Sequence, residues 1–272
     1  AQARSVASMD DMLYCGGQGF VGILTFDSLS TQTEWIDCTP QIQAKSGPFE
    51  DVWRMFVPPP HQRETAKELS AVFSCRQFGG ALDSEGNYTE WLKGPIRNAA
   101  EWSGGIAFQT ADFIHLFDWS GALVSKTPIT FDWKMEGIIR TNDKQLLILT
   151  HQSGLWEYNG FQWQSMAGDL DLHLKMTGVN CLEARKDHWL IGTTGGGIVS
   201  TIDFRTFRTL YTIDSDLTSN SVLDMKTDAS GNIWVGLEGG VDVLKYNWPH
   251  RTPIGLEKLQ EPGYSSLHLA NG

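Results

Sequence analysis

The stretch from Asp216 to Val243, DLTSNSVLDMKTDASGNIWVGLEGGVDV, decides the fold of this chain. Three apolar runs within it, at 220–227, 233–237 and from 241 onward, read as β-strands. Turn residues separate them, namely Asp228, Gly231, Asn232, Gly239 and Gly240. Strands joined by tight Gly turns are typical of an antiparallel meander. Because a single meander cannot bury its own apolar face, a repeated one must stack on its neighbours.

The same pattern recurs along the chain, with a small residue at the end of the second strand and a Gly four residues later. The pairs are Gly236 and Gly240, Gly192 and Gly196, Thr150 and Gly154, Cys75 and Gly79, and Cys15 and Gly19, with Gln109 and Phe113 in a degenerate copy. The second members of the later pairs lie 44, 42 and 41 residues apart, which is the period of a four-stranded propeller blade. The sequence therefore predicts an all-β fold. We expect a β-propeller of four-stranded antiparallel blades, about six of them visible, forming part of a seven-bladed ring in a single domain over residues 1–272.

The fourth strands repeat as well, and one copy is longer than the rest. The triplet Thr-Glu-Trp occurs at 33–35 and again at 89–91, and related triplets occur at 161–163 and 207–209. The second copy contains 58–69, which opens with three prolines that cannot donate to a strand ladder. We expect this segment to be a surface insertion with one or two helical turns between the first two strands of its blade.

Composition and charge exclude some classes of partner. The chain has 21 Lys and Arg against 32 Asp and Glu, a net charge of −11, and no basic run. Such a chain is a poor binder of nucleic acids and of anionic membrane surfaces. No apolar run is long enough for a transmembrane helix. The opening Ala1-Gln2-Ala3 resembles the end of a cleaved signal peptide.

Residues that commonly carry catalysis or bind metals do not form a recognisable motif. The four cysteines lack zinc-site spacing, and Cys15 and Cys75 are expected as packed thiols, with a disulfide between neighbouring blades as the alternative. The seven histidines share no ligand spacing, and segment 228–232 reads as a turn rather than a calcium loop. No nucleophile, phosphate-loop or zincin motif occurs. We therefore expect no cofactor, no metal and no enzymatic activity.

The segment from Asp216 to Val241 resembles the two-component-regulator propeller repeat, which fills the extracytoplasmic sensor regions of bacterial hybrid histidine kinases and related regulators. The segment 188–198 matches this repeat moderately, and 48–55 resembles its first-strand approach. The resemblance implies a periplasmic or extracytoplasmic location and a non-catalytic sensing role. It also implies that this chain is a fragment of a longer protein, since 253–272 reads as the start of another blade. Any membrane association would run through segments outside the chain, and the full-length protein is a candidate homodimer.

Propellers commonly bind ligands at the end of the blades where first strands begin and second-to-third-strand turns lie. Trp side chains there could stack on a sugar ring, and Gln, Arg and Glu could bind its hydroxyls. The alternative is that each Trp packs between blades. The predicted ligand-binding residues are Trp53, Arg76, Trp102, Trp133, Gln152 and Glu238.

Two functions follow from these observations. The first is a sensing or interaction propeller of a bacterial signal-transduction regulator, with a small molecule or an oligosaccharide as its ligand. The second is a propeller polysaccharide lyase or glycoside hydrolase, suggested by the acidic charge and the aromatic content of the predicted binding end. Carboxylates such as Asp37, Asp83, Glu136 and Asp171 form no acid/base pair that sequence alone can recognise.

Overall fold

The computed structural model describes residues 3–27, 32–66, 69–129, 133–142, 145–215, 217–228 and 230–245. Its contacts divide the chain into two compact units, Ala1–Asp132 and Trp133–Gly272. Both units are built from antiparallel β-meanders, as predicted. The predicted further blade at 253–272 lies outside the described residues, and the single-domain organisation stays a prediction.

The first unit contains three four-stranded blades. Their strands are β1 (Ala3–Met9), β2 (Met12–Gly17), β3 (Phe20–Asp27) and β4 (Gln32–Asp37) in blade 1, then β5 (Val52–Phe56), β6 (Leu69–Cys75), β7 (Phe78–Asp83) and β8 (Tyr88–Lys93) in blade 2, and β9 (Asn98–Trp102), β10 (Gly105–Gln109), β11 (Phe113–Asp118) and β12 (Leu123–Pro128) in blade 3. The two Thr-Glu-Trp triplets lie in β4 and β8, so the predicted fourth strands are confirmed.

The second unit contains two four-stranded blades and, within the described residues, one three-stranded blade. Their strands are β13 (Met135–Asn142), β14 (Gln145–Thr150), β15 (Gly154–Tyr158) and β16 (Trp163–Ser165) in blade 4, then β17 (Val179–Ala184), β18 (Trp189–Thr193), β19 (Ile198–Thr201) and β20 (Arg208–Tyr211) in blade 5, and β21 (Val222–Thr227), β22 (Ile233–Leu237) and β23 (Gly240–Leu244) in blade 6.

One turn design closes hairpins in both units. Asp83, Asp118 and Asp228 each end a strand or follow one directly, and each carboxylate accepts hydrogen bonds from backbone N–H groups two and four residues later. A glycine three residues after each Asp has φ between 84° and 85°. Only glycine adopts this left-handed conformation without strain. The Asp-x-x-Gly spacing therefore fixes these turns from the sequence.

Apolar side chains fill the spaces between neighbouring blades of each unit. Tyr14 from blade 1 and Phe73, Phe78 and Tyr88 from blade 2 belong to one buried cluster. In the second unit, side chains of β14, β15, β17, β18 and β19 join the buried face of a helix in a further cluster. First strands of successive blades contact one another within each unit, as β1 with β5 and β17 with β21. This stacking buries the faces that a lone meander would expose.

Three helices interrupt the meanders. They are α1 (Thr39–Ser46), α2 (Arg63–Ala66) and α3 (Asp169–Thr177). The predicted insertion is confirmed, because a 3₁₀ turn at Pro60–Gln62 and α2 both lie between β5 and β6. No helix among the described residues combines the length and the apolar character needed to cross a membrane.

The repeat register predicted from small residues needs a correction. The last residue of each second strand pairs with the first residue of its first strand, and this position is occupied by Gly17, Cys75, Gln109, Thr150, Thr193 and Leu237. Gly192 and Gly236 are therefore one residue early, and Cys15 is two residues early. A side chain at Gly192 would overlap Val222 of the next blade. The glycine there is required by blade packing and not by the turn, which explains the shift.

Candidate functional site

Five of the six blades carry a β-bulge at the second residue of the first strand. In each of these blades, the first and third residues of the first strand pair with consecutive residues of the second strand. The residue between them has no pairing partner. These bulge residues are Arg4 and Trp53 in the first unit and Glu136, Asn180 and Leu223 in the second. In blade 3, Asn98 to Trp102 pair one-to-one with Gln109 to Gly105. Bulges redirect side chains and occur often beside functional sites, so their recurrence marks a candidate site.

The bulges lie at one end of each blade, which we call the upper edge. It is defined by the start of the first strand and the turn between the second and third strands, because these pair directly with each other. The predicted turn residues Arg76, Gln152 and Glu238 all lie in such turns and are exposed. Their predicted position is therefore confirmed, and their binding role stays a prediction.

In the first unit, the upper edge brings together Arg4, Asp51 and Trp53. Arg4 Nε lies 2.9 Å from Asp51 Oδ1, and the guanidinium carbon lies 5.3 Å from the centroid of a Trp53 ring. The indole is 52% exposed. A guanidinium over an indole face is a cation–π contact, and here a carboxylate also forms an ion pair with the same guanidinium. The pair presents an aromatic surface and a cation side by side.

In the second unit, the bulge residue Glu136 is buried instead. Its side chain is 2% exposed, and Oε1 lies 2.6 Å from Lys134 Nζ and 4.0 Å from His151 Nδ1. His151 Nδ1 also lies 2.8 Å from the carbonyl oxygen of Val179 in the next blade. A buried carboxylate requires a counter-charge, and Lys134 supplies it while remaining 55% exposed.

The next bulge residue along the second unit is Asn180. Its amide nitrogen donates to the carbonyl oxygen of Val222 over 2.8 Å, and its carbonyl oxygen accepts from Thr194 Oγ1 over 3.2 Å. Thr194 lies in the β18–β19 turn and is exposed. The side chain of Asn180 therefore connects the upper edges of blades 5 and 6. The second-unit edge is polar but largely engaged in internal contacts.

Two predicted tryptophans do not belong to an exposed binding surface. Trp102 is the last residue of β9 and pairs with Gly105, so it lies at the opposite end of its blade from the upper edge. It is only 8% exposed, and its Nε1 donates to the carbonyl oxygen of Phe117 over 3.3 Å. The prediction for Trp102 is wrong because an aromatic residue near a strand does not show at which end it lies.

Trp133 lies at the upper edge, directly before Lys134, but it is 5% exposed. Its rings pack against Trp156, with centroids 6.4 Å apart, and against Trp163, with centroids 5.6 Å apart. The packing alternative that the sequence left open therefore describes Trp133. Trp53 is the one predicted tryptophan that combines the upper edge with an exposed ring.

Several carboxylates within the described ranges form hydrogen bonds or ion pairs with neighbouring parts of the chain. Asp171 Oδ1 accepts from the backbone N–H of Leu155, and Oδ2 pairs with Lys175. Asp242 accepts from the backbone and hydroxyl of Thr218. Among the residues described, no cluster of three metal-binding side chains occurs. Asp228 accepts from the backbone N–H groups of Ser230 and Asn232, as in the predicted turn.

The cysteines and histidines also have structural surroundings. Cys15 and Cys75 are thiols, and Cys75 is buried with its Sγ 3.3 Å from the carbonyl oxygen of Phe78. The expectation of a packed core thiol is confirmed for Cys75, whereas Cys15 is half-buried, and burial raises the pKa of both. Burial lowers the pKa of His115, whose ring lies in β11 beside Phe113.

Sequence reasoning missed Arg4, Asp51 and Lys134 as members of the upper edge. Each lies within two residues of the place where a first strand begins. That position repeats with the blade period, so aligning the first strands of the copies could have found it. The bulge itself depends on pairing two residues against one, which no single copy of the sequence shows.

Comparison with known proteins identifies no family. No family model matches the chain, and no curated protein is detectably similar to it. Similarity is therefore limited to solved structures.

Three structures illustrate that similarity. The extracellular domain of the hybrid two-component system BT4673 from B. thetaiotaomicron matches with a TM-score of 0.60 and 14% identity over 91% of this chain and 33% of that one. The corresponding domain of BT3049 from the same organism gives 0.61 and 13%, over 97% and 36%. YCF48 bound to D1 peptide gives 0.64 and 12%, over 93% and 80%. This chain spans about a third of the two sensor domains. At these identities the matches establish the fold, and that fold is the β-propeller.

Proposed function

We propose that this chain is a non-catalytic ligand-recognition propeller in the extracytoplasmic part of a bacterial signalling regulator. The observation that carries the proposal is the exposed Trp53 ring beside the oriented guanidinium of Arg4. An exposed indole of this kind is costly to leave in water and is well suited to stack on a flat apolar partner. The proposed ligand is an oligosaccharide, whose ring faces provide such a partner.

The fold comparisons support the sensing role without extending to the ligand. Two of the similar structures are named as extracellular domains of hybrid two-component systems. The extracytoplasmic location is part of the same proposal.

The chemistry of the upper edge favours recognition over catalysis. A glycosidase needs two carboxyl groups facing each other across open space, one of them able to donate a proton. Two of the upper-edge acids, Asp51 and Glu136, are paired with Arg4 and Lys134. These two carboxylates are therefore engaged in ion pairs within the chain rather than facing each other across open space.

The proposal is tested by calorimetric titration of the chain with a panel of neutral and charged oligosaccharides. We expect at least one to bind, and Trp53→Ala to weaken that binding roughly tenfold or more, since loss of one stacked aromatic costs about 1.4 kcal/mol or more. The matched control is Trp35→Ala. Trp35 is similarly exposed, at 46%, but lies in the fourth strand of blade 1.

Two results would contradict the proposal. Equal losses from Trp53→Ala and Trp35→Ala would remove the upper edge as the site. Cleavage of any panel member, followed by chromatography and abolished by Glu136→Gln, would establish the hydrolase or lyase alternative.

A further inference from the structure

Arg4 is held at one end and open at the other. Its Nε faces Asp51 Oδ1 at 2.9 Å, and its guanidinium carbon lies 5.3 Å from a Trp53 ring centroid. Among the described residues, the two terminal nitrogens have no hydrogen-bond or ion-pair partner, and the side chain keeps 32% of its surface exposed.

This arrangement prepares a guanidinium for an anionic oxygen pair. A guanidinium can donate two parallel hydrogen bonds to the two oxygens of a carboxylate. Restraining one end of the guanidinium reduces the conformational entropy that is lost when the other end binds a ligand. The ion pair with Asp51 restrains the Nε end here. The open pair of nitrogens lies beside an exposed indole, so a ligand with a flat ring and an adjacent carboxylate contacts both groups.

Arg76 adds a second cation to the same edge. It directly follows Cys75, which pairs with Val52, the residue between Asp51 and Trp53. The side chain of Arg76 is exposed and has no partner among the described residues. Arg4 and Arg76 lie beside Asp51 and the exposed Glu50, so the formal charges of this edge cancel on a chain with a net charge of −11. Two arginines at a locally neutral edge provide cations for a negatively charged ligand group on a protein whose net charge repels it.

We propose that the upper edge of blades 1 and 2 recognises a carboxylated sugar, a uronic acid within an oligosaccharide. The sugar ring packs on Trp53, and its carboxylate binds the terminal nitrogens of Arg4, with Arg76 adjacent. This inference rests on the proposed function and specifies the class of ligand.

The test compares an acidic oligosaccharide with its neutral ester. Trigalacturonic acid and triglucuronic acid are titrated into the chain beside their methyl esters, which keep the ring and remove the charge. We expect the acids to bind at least tenfold more tightly than the esters. Arg4→Met should remove that preference, and Trp53→Ala should weaken both forms.

Matched variants separate charge in general from this particular guanidinium. Arg63→Met removes another exposed arginine of the first unit, one paired with Asp10, and should keep the preference. Arg4→Lys keeps the charge without the planar fork and should lose most of the preference. It also serves as the test if Arg4→Met fails to fold in a thermal melt.

The outcomes distinguish the two proposals. Equal affinity for acid and ester, or no binding of either acid, overturns the carboxylate inference. If neutral oligosaccharides then bind in a Trp53-dependent way, the sensing function stands. If no member of the wider panel binds, both proposals fail.

Discussion

The bulges of blades 1 and 2 and the bulge of blade 4 use the same backbone device with opposite results. Arg4 and Trp53 project to an exposed surface, whereas Glu136 is buried under Lys134 and beside His151. The strand pairing is the same in each case, with one extra residue after the first pair. The bulge therefore sets the position of the residue at the upper edge. The neighbouring residues determine whether its side chain is exposed to solvent.

The two units also differ in how they bury ionisable groups. The first unit buries Tyr14 and Cys38, which are neutral when protonated, and burial raises the pKa of Tyr14 to about 12 and that of Cys38 to about 11. The second unit buries the carboxylate of Glu136 against a lysine. The stability that a buried neutral group contributes depends on pH, because the group must keep its proton. The stability of a buried ion pair depends on the presence of both partners. The predictions below test this difference.

The largest expected effect is alkaline destabilisation through Tyr14. Because its pKa rises from 10.0 to about 12 in the folded chain, the unfolded chain loses its proton first. The stabilisation is complete below pH 10 and is lost as pH rises through about 12, amounting to about 2–3 kcal/mol. Urea unfolding at several pH values should show this loss, and Tyr14→Phe should reduce it. An identical pH slope in Tyr14→Phe would contradict the prediction.

Removal of the counter-charge in the second unit comes next. Lys134→Met leaves Glu136 buried without its lysine, and we expect the free energy of unfolding to fall by about 1–2 kcal/mol, reduced from the fully buried case by the exposure of Lys134. Lys186→Met, which removes an exposed lysine from the same unit, should cost less than about 0.5 kcal/mol. Adding Glu136→Gln to Lys134→Met should recover part of the loss. Equal effects of the two lysine variants would break the comparison.

The matching change in the first unit should matter less for stability. Arg4→Met breaks a partly exposed pair with Asp51, and such pairs contribute about 0.5 kcal/mol. Its main effect should fall on ligand binding. Denaturation midpoints of Arg4→Met and Lys134→Met, measured side by side, check this order. A larger loss from Arg4→Met would mean that the exposed pair is a structural contact.

The smallest effect is expected at acid pH in the second unit. Burial lowers the pKa of His173, whose ring stacks on Phe207 with centroids 4.6 Å apart. The folded chain therefore favours the neutral ring. The stabilisation is present above pH 6.5 and is lost as pH falls through the lower folded value. His173→Phe should flatten this part of the profile in thermal melts, and an unchanged profile would count against the assignment.

Much of the fold could be predicted because its determinants are local. The Asp-x-x-Gly turns specify their own hydrogen bonds within five residues, as at Asp83 and Asp228. The prolines that begin the insertion have no backbone N–H, so they cannot donate the hydrogen bonds of a strand ladder. Each of these features is readable from a short segment without knowing what packs against it.

The candidate site could be predicted only in part because its determinants are not local. Trp53 was identified from its place before an apolar run, but the same reasoning misplaced Trp102, which ends its strand. Burial of Glu136 depends on Lys134 and on His151, fifteen residues away across a strand pair. Strand pairing decides the position of Trp102, and the depth of burial decides the environment of Glu136. Both are determined only when the strands assemble into blades.

The upper-edge turns have a practical consequence for engineering the chain. Their carbonyl oxygens bind the following blade, since Arg76 O accepts from Ile96 N and His151 O accepts from Val179 N, each over 2.8 Å. The β15–β16 turn is instead held within its own hairpin, since the N–H groups of Phe161 and Gln162 donate to Asn159 Oδ1 and the Tyr158 hydroxyl donates to the carbonyl oxygen of Gly160. Phe161 is 92% exposed. A peptide tag or fluorescent reporter is therefore best inserted between Gly160 and Phe161, where the graft interrupts one hairpin and leaves the connection between neighbouring blades intact.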